Sequence, residues 1–102
     1  MQQNILVVDD EAIARRFMER ALTEAGYRVM LANDGEQALD LIRTTRRKIA
    51  LVVTDLVMPG MGGHAFALEV GKLPSPPLFT LSPLNRRQPK SSVVSRRIAF
   101  RR

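Results

Sequence analysis

Two short runs, Asn4-Ile5-Leu6-Val7-Val8 and Ile49-Ala50-Leu51-Val52-Val53-Thr54, are apolar at nearly every position and end abruptly in acids. Asp9-Asp10 follows the first and Asp55 the second. A strand with one wet face alternates polar and apolar residues. A strand covered on both faces reads as an unbroken, β-branched run. The two runs therefore predict interior strands of a parallel sheet, and the stretches between them must supply the helices that cover it.

Those stretches fit. After Glu11, the residues Ile13, Phe17, Ala21, Leu22 and Ala25 form an apolar helical stripe. Arg15, Arg16, Glu19, Arg20 and Glu24 lie largely off it, and the arginines read as a solvated face. Gly26 suits the left-handed residue that closes a helix. Residues 27–32 predict a further strand. Asn33-Asp34-Gly35 predicts a turn in which Asp34 caps the next helix. Ala38, Leu39 and Ile42 form that helix's buried stripe, and Arg46-Arg47-Lys48 suits its C-terminal end. After Asp55 come a loop over residues 56–63 and a short helix from His64 to about Lys72. The order β-α-β-α-β-loop-α at short spacing is that of an α/β domain with right-handed crossovers. Ligands of such sheets bind beyond the carboxyl ends of the strands. There Asp9, Asp10 and Asp55 converge if the strands that carry them are neighbours. Acids so gathered repel one another, and a hard divalent cation such as Mg2+ relieves this through oxygen ligands.

Composition narrows the chemistry further. The chain has no cysteine and one histidine, His64, which excludes disulfides, thiolate metal sites, thiol catalysis and a histidine-rich metal cage. His64 itself reads as a solvated residue in the first turn of its helix. No apolar run approaches the roughly 20 residues of a membrane span, and the N-terminus lacks a signal-peptide pattern, so a cytoplasmic protein is expected. The five methionines read as packing residues. The net charge of +6 is divided unevenly: residues 1–69 carry 8 basic and 10 acidic side chains, residues 70–102 carry 8 basic and none acidic. Five of the six prolines share that basic third.

Val7-Val8-Asp9-Asp10-Glu11, followed by Asp55-Leu56-Val57-Met58-Pro59-Gly60-Met61-Gly62-Gly63 after an apolar strand, resembles the bacterial response-regulator receiver family. The resemblance is firm to about residue 71. It implies a doubly wound, flavodoxin-like parallel sheet of strand order 2-1-3-4-5. It implies a phosphoacceptor of two-component signalling and not an enzyme. Asp55 would take a phosphoryl group from a sensor histidine kinase or phosphotransfer protein. Mg2+ would be bound by Asp10, Asp55 and the backbone carbonyl of Val57, with Asp9 acting through water. Pro77-Leu78-Phe79-Thr80 resembles the family's fourth strand, which ends in a hydroxyl that helps hold the phosphoryl group; Thr80 is the match and Ser82 the second candidate.

Beyond Leu84 the resemblance ends. Pro74, Pro76 and Pro77 cut the third helix short. No residue takes the family's lysine role, Lys90 included, and Val93-Val94 and Ile98-Ala99-Phe100 offer strand-like runs with no defined place. The expected division is a receiver over residues 1–84, incomplete after its fourth strand, and a basic tail over residues 85–102. An exposed fourth-strand edge would then favour a homodimer. Three accounts of the tail stand: a truncated or out-of-frame terminus, a nucleic-acid-binding extension, or part of a receiver-like adaptor that is not phosphorylated. The scarcity of aromatic residues and the lack of a recognition helix argue against nucleic acid.

Overall fold

The computed structural model describes residues 2–55, 58, 60–82 and 97–98. Their elements run β1 (Asn4–Val8), α1 (Ala12–Glu24), β2 (Arg28–Ala32), α2 (Gly35–Thr44), β3 (Ile49–Thr54), α3 (Gly63–Gly71), β4 (Leu78–Leu81) and β5 (Arg97–Ile98). The sheet order is β2-β1-β3-β4-β5. The first four strands are parallel, with Val8 opposite both Ala32 and Thr54, and Thr54 opposite Leu81.

The unbroken apolar runs are explained by burial on both faces. Along β1 and β3, Leu6, Val8 and Val52 enter one core with Ala38, Leu39, Phe66, Val70 and Phe79, beneath α2 and α3. The alternate residues Ile5, Val7 and Val53 enter a second, smaller core with Met18, beneath α1. Phe66 and Phe79 anchor the larger core as a tilted pair with centroids 5.3 Å apart, an arrangement aromatic quadrupoles favour. Met58 is buried in the same core, and Met30 and Met61 pack against it.

Turn chemistry follows the sequence. Gly26 has φ +100°, open to glycine at little cost, and Tyr27 N–H donates back to the Leu22 carbonyl at 3.0 Å. The Asp34 carboxylate accepts from Gln37 N–H at 2.8 Å, satisfying one of the donors a helix start leaves open. Gly35 is required for a different reason: a Cβ there would lie 2.9 Å from Met61, so a side chain would displace the loop that follows β3.

Two expectations are corrected. The buried stripe of α1 is Ala14 and Met18, with Leu22 half-buried, whereas Ile13 is 78% and Phe17 60% exposed. Ala21 and Ala25 are exposed as well. The helix is thus turned by about one residue from the most hydrophobic stripe. Met18, an unbranched and adaptable side chain, packs with Ile5, Val7 and Val53, and Leu22 lies against the same cluster. The edge of β4 is also not left open along its length. Arg97 and Ile98 pair antiparallel with Thr80 and Phe79, a direction that needs no crossover helix. The strand-like residues Val93, Val94, Ala99 and Phe100 lie outside the described residues, as does Lys90.

Candidate functional site

Beyond its carboxyl end, each central strand adds one more ladder bond to its neighbour. Asp9 N–H donates to Ala32 at 3.1 Å, Asp55 N–H to Val8 at 3.0 Å, and Ser82 N–H to Thr54 at 2.9 Å. The backbone of the residue after each strand is therefore held as firmly as the sheet itself, although its side chain projects past the sheet. Asp9, Asp10 and Asp55 each bring a carboxylate oxygen within 4.8 Å of the other two. Asp9 and Asp55 are buried, and Asp10 is partly exposed.

Asp9 is not a helix cap. Helix α1 starts from Glu11, whose side chain makes no capping bond. The Asp9 carboxylate instead accepts from Glu11 N–H at 2.9 Å, which holds the turn into the helix. Burial pushes the Asp9 carboxyl above its ordinary range, and the negative charges of Asp10 and Glu11 add to this. The Glu11 N–H bond and the nearby Arg15 guanidinium oppose it.

Arg15 belongs to this site rather than to a solvated face. One of its terminal nitrogens donates to the Asp9 backbone carbonyl at 2.8 Å. Arg16 and Arg20 are the solvated arginines of this helix, and Arg20 pairs with Glu24 at 3.2 Å in the open. The signal for Arg15 was its place in the first turn directly after the acids. His64 is exposed near the start of α3.

Thr80 does not reach the acidic end. It pairs with Val53, two residues before Asp55, which at strand rise is about 7 Å short. Ser82 stands one place beyond the Thr54–Leu81 pair, level with Asp55, and is only 2% exposed. Val57 lies outside the described residues.

Three carboxylates at the ends of adjacent parallel strands form an all-oxygen donor set suited to a hard cation. A response regulator receiver domain model matches residues 5–94 of the chain. The chain belongs to the response-regulator receiver family. This receiver is 41% identical over 83 residues to a probable transcriptional regulator, ycf27, of Porphyra purpurea, a match covering 81% of this chain and 33% of the relative. It spans about a third of the length of the ycf27 relatives it matches. Among solved structures, the chemotaxis response regulator CheY4 of Vibrio cholerae matches with a TM-score of 0.66 and 32% identity, over 71% of this chain and 58% of that one. The response regulator TrrA of Thermotoga maritima, solved in complex with Mg2+ and BeF, matches with a TM-score of 0.65 and 38% identity, over 70% of this chain and 60% of that one. The receiver is thus a signalling module of two-component systems, with the flavodoxin-like arrangement its neighbours share. Among the described residues, no helix is long and apolar enough to cross a membrane.

Proposed function

We propose that this receiver accepts a phosphoryl group on Asp55 from a histidine kinase or a phosphotransfer protein in the cytoplasm. The observation that carries the reading is the gathering of Asp9, Asp10 and Asp55 oxygens within 4.8 Å of one another, at the end of a buried sheet. Charge alone would not keep such a cluster together, and its oxygen donors fit Mg2+. The Mg2+ found with TrrA supports the same fit. Asp10, Asp55 and the Val57 carbonyl would hold the ion, with Asp9 reaching it through water. Bound there, Mg2+ would neutralise charge on the transferring phosphoryl oxygens.

The chain's own residues divide the remaining work. An Asp55 oxygen attacks phosphorus, the phosphorus–nitrogen bond of the donor's phosphohistidine breaks, and the imidazole leaves with that electron pair. Ser82, level with Asp55, is better placed than Thr80 to hold the transferred group. Arg15 fixes the Asp9 backbone and with it the turn that presents Asp10. In this reading residues 1–84 form the receiver and residues 85–102 a basic tail, of which Arg97 and Ile98 add a short antiparallel edge to β4.

The test is intact-protein mass spectrometry after incubation with acetyl phosphate, with Mg2+ or with EDTA, on the wild type and Asp55→Asn. A single phosphoryl adduct that needs Mg2+ and is absent from the variant is expected. An adduct of equal yield in the variant would overturn the assignment, as would none in a wild-type chain that circular dichroism shows to be folded.

A further inference from the structure

The amino end of the sheet, opposite the acids, has a pocket of a different kind. It opens where α2 and α3 have both ended and the chain has not yet re-entered β3 and β4. Its volume is about 450 Å3, within the usual range for small-molecule sites. The lining includes Ile42, Ile49, Leu73 and Pro77, with Arg43, Arg47 and Lys48 beside them. Ile49 and Pro77 are buried, whereas the three cations are exposed. We infer that this pocket binds a small organic anion with an apolar body, its carboxylate or phosphate held by Arg43, Arg47 and Lys48.

Charge complementarity supports an anion. Among the described residues, none of the three cations is in an ion pair, and Asp40, one turn before Arg43 on α2, makes none with it. Glu69 pairs with Lys72 at 3.1 Å, and the sequence has no acid after Glu69. The C-termini of α2 and α3 each bring roughly half a negative charge. Three full positive charges exceed what those two ends need.

Shape supports an apolar body. Three of the four residues in Pro74-Ser75-Pro76-Pro77 lack a backbone N–H, so this wall offers few polar groups and cannot close the pocket by joining a helix or the sheet. The backbone that carries Arg47 and Lys48 is anchored beforehand. Asn4 donates its side-chain amide to the Lys48 carbonyl at 3.0 Å, and Arg47 N–H donates to the Thr45 hydroxyl at 3.2 Å. This anchoring lowers the ordering cost of binding.

The test uses the full chain and two probes, octanoate and its neutral counterpart octanol, titrated below aggregation while 1H–15N amide shifts are followed. Saturable shifts confined to residues 42–49 and 71–78 are expected with octanoate. Octanol should bind about tenfold more weakly, the loss of one good charge-assisted contact. Arg43→Gln with Arg47→Gln should weaken octanoate by a similar factor and flatten its salt dependence. Both positions are exposed, so the fold should be unaffected. Equal binding of the two probes would overturn the proposal, as would shifts centred elsewhere or an unaffected double variant.

Discussion

Asp9→Asn tests the electrostatics of the acidic site without removing its hydrogen bond, because an asparagine oxygen can still accept from Glu11 N–H. With oxygens within 4.8 Å, two full charges at an effective dielectric of about 20 repel by about 3.5 kcal/mol. Partial exposure of Asp10 screens part of this, and a buried amide NH2 left without a partner costs roughly 1–3 kcal/mol. The variant should therefore gain about 1–2 kcal/mol in EDTA at pH 7, or about 1 M in urea midpoint for a chain of this size. The sign follows from the raised carboxyl of Asp9. The folded state holds that proton more tightly than the unfolded chain. The stability this provides is complete below the unfolded carboxylate range and lost as pH rises through the folded value. The advantage of the variant should accordingly shrink as pH is lowered. Mg2+ at about ten times its dissociation constant should add about 1.4 kcal/mol to the wild type and much less to the variant. The assay is urea unfolding followed by circular dichroism, in EDTA and in Mg2+, across pH. A variant less stable than wild type in EDTA by the same amount at every pH would refute the reasoning.

Three further outcomes are expected. Met18→Ala should cost about 2–4 kcal/mol by leaving a cavity, whereas Phe17→Ala, on the exposed side of α1, should cost under about 1 kcal/mol; urea midpoints compare the two. Asp34→Ala should cost about 1 kcal/mol through the lost cap of α2, read as a fall in melting temperature. Ser82→Ala should slow Mg2+-dependent adduct formation from acetyl phosphate by about tenfold or more, the loss of one charge-assisted contact, while Thr80→Val leaves the rate within about twofold; quenched mass spectrometry measures both.

Local rules were enough for most elements. The bounds of β1 and β3 follow from unbroken apolar runs, α2 from the Asp34 cap, and the end of α1 from Gly26, because each signal acts within a few residues. Asp9, Asp10 and Asp55 were legible for a related reason: an acid closing a strand buried on both faces has few structural uses. The stripe of α1 was not legible. Ile13 and Phe17 form as good a helical stripe as Ala14, Met18 and Leu22, and hydrophobicity alone selects the wrong pair.

The sequence by itself determined that β1 and β3 lie inside a parallel sheet and that acids crown their ends, since short β-branched runs alternating with amphipathic helical stretches bury both faces of such a sheet. Only the tertiary structure decided which hydroxyl stands beside Asp55, because that depends on the register between β3 and β4, set by pairing across a gap that no local signal spans. It also decided that Arg15 turns toward Asp9 and that three cations ring an apolar pocket at the other end of the sheet. Both arise from where separate elements meet in space, and the physical chemistry of any one segment leaves that meeting open.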